Sequence, residues 1–268
     1  MDYNLPPLPK RPINSNKGTF GKILNIAGSH YMPGAAYISS LAATTAGCGL
    51  VCLMSEESVI QTVSTLTPLV TFAPISDLKE KLTTSNVLLI GCGLSTNSTA
   101  HSLFVDAVQN SQIPTIIDAD GLNILAQKQI NVPTQTILTP HPLEAARLLN
   151  CNLEKILTNP IQTATEICKK YNCITVLKSH ETIVTDGKNI YKNTTETTAL
   201  AKGGSGDVLA GIIASFVAQG MLLFDAATLG VYLHGKSGDL AAKNLTEYCV
   251  TALDTIRFLP LAFMDYAK

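Results

Sequence analysis

The chain has 268 residues, 46% hydrophobic and 15% charged. It can bury a large core, and disorder is excluded as its main state. Its 19 basic and 20 acidic side chains leave a net charge of −1, so no global field attracts nucleic acid or an anionic membrane.

Residues 1–17 are rich in Pro and Asn and predict an extended N-terminal arm with no apolar leader segment. Strand-like runs then alternate with helical ones. Ile23–Ala27, Gly49–Met54, Val87–Ile90, Thr115–Asp118 and Thr136–Leu138 predict strands. Ala35–Gly47, Ser98–Asn110, Gly121–Gln127 and Glu144–Leu149 predict helices. Such alternation implies one domain, a mostly parallel sheet covered by helices on both faces. Ile174–Lys178 and Thr182–Asp186 follow as short β-type runs. Asp186-Gly187 predicts a tight turn into Ile190–Lys192, giving antiparallel strands at one sheet edge. From Ser205 onward the pattern is helical. The uncharged run Val208–Phe224 is short for a membrane span and fits a buried helix followed by a turn.

Seven cysteines form no C-x-x-C pair. A disulfide framework and metal knuckles are both poor readings, and a reducing cytoplasm is the expected compartment. The histidines His30, His101, His141, His180 and His234 show no zinc-ligand spacing.

The strongest local signal is Lys202-Gly203-Gly204-Ser205-Gly206-Asp207, which opens directly into an apolar helix. A helix N-terminus leaves N–H groups unpaired and carries partial positive charge. Glycines let an anion approach those groups, so the segment predicts a phosphate site with Asp207 in the first turn. By contrast, Gly230–Ser237 matches G-x-x-x-x-G-K-S letter for letter. It lacks the preceding strand, and bulky Val, Tyr, Leu and His fill its loop positions, so we read the match as chance. Gly91-Cys92-Gly93 places a glycine turn at a strand's carboxyl end, where open α/β sheets bind ligands. Asp118, Asp120 and Asn123 suit Mg²⁺ through water, ribose hydroxyls, or plain turn chemistry, and the residues do not choose. His141 lies on a Pro-bracketed turn at the same edge.

KGTFGKILNIAGS, PGAA, IGCGLS, IIDADGLN, LTPHPLEAARLL, ALAKGGSGDVLAG and YLHGKSGDLAA occur in this order from about Lys17 to Ala242. Together they closely resemble the NAD(P)H-hydrate dehydratases of the ribokinase-like superfamily. The resemblance implies a three-layer α/β/α fold with a mostly parallel central sheet and antiparallel edge strands. It implies ADP-dependent dehydration of the S epimer of NADH hydrate and NADPH hydrate, giving AMP and phosphate. The ring hydroxyl would be phosphorylated first and phosphate then eliminated. Asp207 resembles the catalytic base. Gly203, Gly204, Ser205 and Gly206 would hold the transferring phosphoryl group. Ala36, Gly93 and His141, with the neighbouring Ala35, match hydrate-binding positions. Lys178, Ser179, His180, Glu181, Thr182 and Gly206 match nucleotide-binding positions. Mg²⁺ bridging the phosphates and a cytoplasmic homotetramer are further expectations of the resemblance.

Some positions depart from the family pattern. Cys92 stands where Pro is common and Leu143 where Gly is common. Ser179-His180-Glu181 replaces a smaller stretch, and Thr195-Glu196-Thr197 stands where Gly-Asn is usual. The competing readings are a ribokinase-like kinase of a hydroxymethyl-pyrimidine or thiazole alcohol, which would lack Thr139-Pro-His-Pro, and a nucleotide-binding regulator without activity.

Overall fold

The computed structural model describes residues 5–128, 130–195 and 197–267. Nine strands form one sheet. They are β1 (Lys22–Ile26), β2 (Leu50–Met54), β3 (Thr71–Ala73), β4 (Val87–Ile90), β5 (Thr115–Ile117), β6 (Thr136–Leu138), β7 (Ile174–Leu177), β8 (Ile183–Thr185) and β9 (Ile190–Lys192), in spatial order 3-2-1-4-5-6-7-8-9. Neighbours from β3 to β7 run parallel; β8 and β9 return antiparallel. The sheet thus has the expected mixed form. The β8–β9 turn is held by Asp186, whose Oδ1 accepts the main-chain N–H of Lys188 and Asn189 at 2.9 and 2.6 Å.

The central strands are buried on both faces, which is why they carry unbroken apolar runs. Leu24 and Ile26 of β1, and Leu88 and Ile90 of β4, point into one core with α3 (Leu78–Thr83), α4 (Ser98–Asn110), α5 (Asp120–Lys128), α6 (Pro142–Leu149), α7 (Leu153–Thr158) and α8 (Pro160–Tyr171). Ile23, Val87 and Leu89 point into the other. That face is covered by α1 (Pro33–Thr45), α2 (Glu57–Leu66), α9 (Ser205–Ala218), α10 (Leu223–Leu245) and α11 (Ala252–Tyr266). The sequence reading left β3, α2, α3, α7 and α8 unassigned. Thr71–Ala73 is a three-residue edge strand stopped by Pro74, and pairing with β2, not its own pattern, makes it a strand.

Helix α9 is buried almost all round, as its composition predicts. It lies against α1, where Ser39, Ala42 and Ala43 leave room for close approach. A Cβ on Gly211 would collide with the Ser39 carbonyl and come within 2.9 Å of the Ala42 Cβ. The turn after α9 uses Gly220 at φ +89. Among the described residues no helix is long and apolar enough to cross a membrane. The Gly230–Ser237 match lies inside α10, and Lys236 turns toward Asp265 of α11, Nζ to Oδ2 3.8 Å. A helical backbone has spent its N–H groups internally and cannot wrap a phosphate.

The N-terminal arm is tied down at two points. Arg11 stacks on the Phe20 ring and donates to the Gly47 carbonyl at 3.0 Å, while the Tyr266 hydroxyl donates to the Pro6 carbonyl at 2.8 Å.

Gly211→Ala tests the α1–α9 contact. Ala is the better helix former, yet the added methyl must push two backbones apart, and overpacking of this kind costs about 1–3 kcal/mol. Urea unfolding of the variant should show a lower midpoint with an unchanged slope.

Candidate functional site

The loops after β1, β4, β5, β6 and β7 meet at the carboxyl edge of the sheet. Gly91 makes this possible: it has φ +121, and a Cβ there would strike the Asp118 carbonyl and sit 2.6 Å from the Gly121 nitrogen. The β4 and β5 loops therefore touch. The main-chain N–H of Gly28 donates to the Cys92 carbonyl at 2.8 Å and ties in the β1 loop.

Asp118 ends β5 and is 1% exposed. Its Oδ1 accepts from Lys178 Nζ at 2.6 Å and from Thr139 Oγ1 at 2.7 Å. Its Oδ2 faces the Cys92 thiol at 3.8 Å. Lys178 follows β7, and its main-chain N–H donates to the Pro140 carbonyl at 2.8 Å, so the β6 and β7 loops are also joined. Burial pulls the Lys178 pKa down, but the Asp118 and Glu144 carboxylates outweigh it and leave it raised.

Asp207 stands in the first turn of α9. Gly204 caps that helix at φ +90, where a side chain would also meet Ala252 and Ile38. The Ser205 N–H is spent on the Lys202 carbonyl at 3.3 Å, and the other first-turn N–H groups of such a helix have no intrahelical partner, as an anion site requires. Burial, aided by the Asp118 carboxylate, pushes the Asp207 pKa up to about 7. Burial raises the Cys92 thiol well above its ordinary value, and Asp207 and Asp118 add to the effect. Cys92 is therefore a thiol at neutral pH, a weak donor to its two carboxylate neighbours and no nucleophile.

The ligand atoms of Cys92, Asp118 and Asp207 all lie within 4.8 Å of one another. A protonated thiol does not bind Mg²⁺, and Asp118 Oδ1 is taken by Lys178. Asp118 Oδ2 and Asp207 remain. This donor set fits a Mg²⁺ ion that keeps several waters and completes its shell with phosphate oxygens.

Beside this cluster opens a cleft of about 650 Å³ between the β6 and β7 loops, the 193–206 loop and α10. Its lining includes His141, Lys178, Ser179, His180, Thr182, Ser205 and Gly206, so most of the expected nucleotide positions come together with His141. Glu181 turns outward to Lys192 at 2.7 Å and is not among the lining residues. The other expected set lies toward the β1 end of the same edge. A Cβ on Gly93 would meet Ala35 Cβ at 2.7 Å, and one on Gly28 would meet Ala36 Cβ at 2.9 Å, so small residues pack closely here, and Ala36 itself is fully buried. Glu196 lies outside the described residues.

His141 is the N-cap of α6. Its Nδ1 accepts the main-chain N–H of Leu143 and Glu144 at 3.1 and 3.3 Å, and Pro142 occupies position N1. Nδ1 is thus unprotonated, and Nε2 carries the proton toward Glu144 Oε1 at 3.3 Å. Burial, with the charge of Lys178, lowers the His141 pKa and keeps the ring neutral. Glu144 closes a capping box by accepting the His141 main-chain N–H at 2.8 Å. It is 4% exposed, and burial raises its pKa to about 7. Sequence reasoning missed Glu144. The His-Pro-x-Glu spacing of a capping box was the available signal. It also missed the α10 wall of the cleft, Val231, His234 and Gly235, which only packing brings there.

Comparison with known proteins agrees with this geometry. The family model described as NAD(P)H-hydrate dehydratase matches residues 23–260. A bifunctional NAD(P)H-hydrate repair enzyme of Moorella thermoacetica is 35% identical over 94% of this chain and 51% of its own length. The chain spans about half the length of the first curated relatives it matches. An ADP-dependent (S)-NAD(P)H-hydrate dehydratase of Neisseria meningitidis is 34% identical over 87% of this chain and 81% of its own. The crystal structure of an ADP/ATP-dependent NAD(P)H-hydrate dehydratase from Bacillus subtilis, co-crystallised with ATP and Mg²⁺, superposes with a TM-score of 0.88 at 29% identity, over 97% of this chain and 94% of that one. The candidate site and all of the strands except Lys22, the first residue of β1, fall within the matched span, and the chain belongs to the NAD(P)H-hydrate dehydratase family.

Proposed function

We propose that this chain is a hydro-lyase that restores NADH and NADPH from the S epimers of their hydrates, consuming ADP and releasing AMP and phosphate. The observation that carries this reading is Asp207. It is a carboxylate poised near neutral pH in the first turn of a glycine-capped helix, beside a nucleotide-sized cleft. Membership of the family supports the reading over the kinase alternative. As the resemblance implies, we take the chain to be one catalytic domain working as a cytoplasmic homotetramer.

Hydroxide is a poor leaving group at neutral pH, and phosphorylation converts it to a good one. Asp207 takes the proton of the ring hydroxyl while its oxygen attacks the β-phosphorus of ADP. The bond from β-phosphorus to the bridging oxygen breaks and AMP leaves. The main-chain N–H groups of the 203–206 turn face the three equatorial oxygens and stabilise their charge. The ring nitrogen then expels phosphate from the neighbouring carbon, and loss of a proton from the next carbon restores the double bond. Asp118 Oδ2 and Asp207 would hold Mg²⁺ through water, and the ion, when bound, would neutralise phosphate charge. Of the expected hydrate positions, Ala35 is partly exposed and would meet the ligand, while the buried Ala36 and Gly93 shape the site by packing. His141, with both ring nitrogens engaged internally, offers its ring to the same ligand. Lys178, Ser179, His180 and Thr182 receive the nucleotide, while Glu181, expected among them, turns out of the cleft to Lys192.

Asp207→Asn separates the two consequences of that buried carboxylate. Turnover of NADH hydrate with ADP, read as recovered NADH absorbance, should fall by about 10²–10⁴-fold. The wild-type kcat/KM should rise with pH and level off above about 7, where Asp207 is ionised. Near-normal activity in the variant overturns the base assignment.

Stability should move the other way. A carboxyl whose folded pKa lies above its unfolded value makes the fold less stable as pH rises from about 4 through about 7. The Asn variant has no such loss. Calorimetry should find it melting above wild type at pH 8, with the gap closing in acid.

Lys236→Ala should leave the KM for ADP unchanged, because Lys236 faces α11 and not the cleft. A collapse of nucleotide affinity in the folded variant would restore the glycine-lysine-serine match as a phosphate loop.

A further inference from the structure

The Lys178 ammonium has an unusual post. It is 18% exposed, lies 2.6 Å from Asp118 Oδ1 and 3.9 Å from Glu144 Oε2, and sits 3.3 Å from where a Cβ on Gly206 would stand. It therefore lies over the first turn of α9, on the cleft side of the Asp118–Asp207 pair. Side-chain freedom would normally let a lysine leave such a place. Here it is flanked by two carboxylates that are themselves fixed. Asp118 is pinned by Thr139. Glu144 is pinned from both sides of His141, by the main-chain N–H at 2.8 Å and by ring Nε2 at 3.3 Å.

We infer that Glu144 is a positioning residue: anchored to His141, it holds the Lys178 ammonium over the N-terminus of α9, where that ammonium meets the transferring β-phosphoryl group of the nucleotide. This rests on the proposed ADP-dependent reaction and extends it. Lys178 becomes a catalytic cation that touches the phosphoryl oxygens, and not only part of a nucleotide-binding stretch. Glu144 touches neither substrate and acts through Lys178. The arrangement also accounts for glycine at 206, since a side chain there would crowd both the ammonium and an incoming phosphate. His141 gains a second purpose. By capping α6 it fixes the backbone on which Glu144 is hung, which couples the hydrate side of the site to the phosphate side.

A double-mutant cycle tests this. Glu144→Gln keeps an oxygen for the His141 main-chain N–H but removes the charge that Glu144 turns toward Lys178 above about pH 7, so the cycle is run at pH 8. Lys178→Met removes the cation at similar length. Each should lower kcat by about 10–150-fold, the worth of a hydrogen bond to a charged group, with a smaller change in the KM for ADP. In the Lys178→Met background, Glu144→Gln should have no further effect, because its partner is gone. Calorimetric titration supplies a readout independent of turnover. ADP binding should weaken in both variants, while AMP, which lacks the β-phosphate, should bind as in wild type. Glu144→Asp, which restores the charge one methylene short, should recover part of kcat. Multiplicative effects of the two substitutions, or equal losses of AMP and ADP binding, overturn the inference and leave Glu144 a helix cap. Absence of hydrate turnover in wild type together with intact, non-additive ADP binding would instead strike the proposed reaction and spare the coupling.

Discussion

Two carboxylates and one ammonium share a nearly dry corner at the carboxyl edge of the sheet, and the site depends on keeping them there. Asp118 is buried at the end of β5, and Asp207 is brought against it by the first turn of α9. In water the two would drift apart. Here the backbone forbids it, because Gly91 lets the β4 and β5 loops touch and Gly204 fixes the entry of α9. Burial, with the repulsion from Asp118 added to it, raises the Asp207 pKa, and a carboxylate that holds its proton until about pH 7 is a better base near neutrality than an ordinary aspartate.

The rest of the architecture serves that corner. Helix α9 must reach the sheet edge with its N-terminus bare, so it runs through the core, buried on nearly every side. That burial requires close neighbours. Gly211 against the Ser39 backbone and the alanines of α1 provide them, and the same small residues continue into Ala35 and Ala36 at the site. One packing solution therefore gives both a dense core and close packing at the sheet edge. The antiparallel pair β8–β9 extends the sheet past Lys178 and supports the loop that walls the cleft.

Cys92 illustrates how a departure from the family pattern is absorbed. Its thiol is sealed between Asp118 and Asp207 and kept protonated by burial, to which their charges add. It fills the space as a small apolar group with a weak donor, so the substitution changes the packing of the corner without adding a charge to it. Ser179-His180-Glu181 is absorbed differently. His180 lines the cleft while Glu181 is drawn away by Lys192, which keeps its charge out of the cleft.

Much of this was legible in the sequence because it is local. Unbroken apolar runs gave the central strands, since burial on both faces leaves no alternation. Glycine at 203, 204 and 206 marked the glycine-capped start of α9 as a candidate anion site, because helix ends and φ-positive caps are matters of a few residues. The same logic exposed the glycine-lysine-serine match as helical. The edge strand β3 escaped because three residues carry no period of their own and become a strand only by pairing with β2. Tertiary structure alone decided what lies in the dry corner. Asp118, Glu144 and Lys178 are far apart in the chain, and each is an ordinary turn or helix-start residue when considered singly. Their joint character comes from being desolvated together, and desolvation is a property of the packed whole that no local pattern encodes.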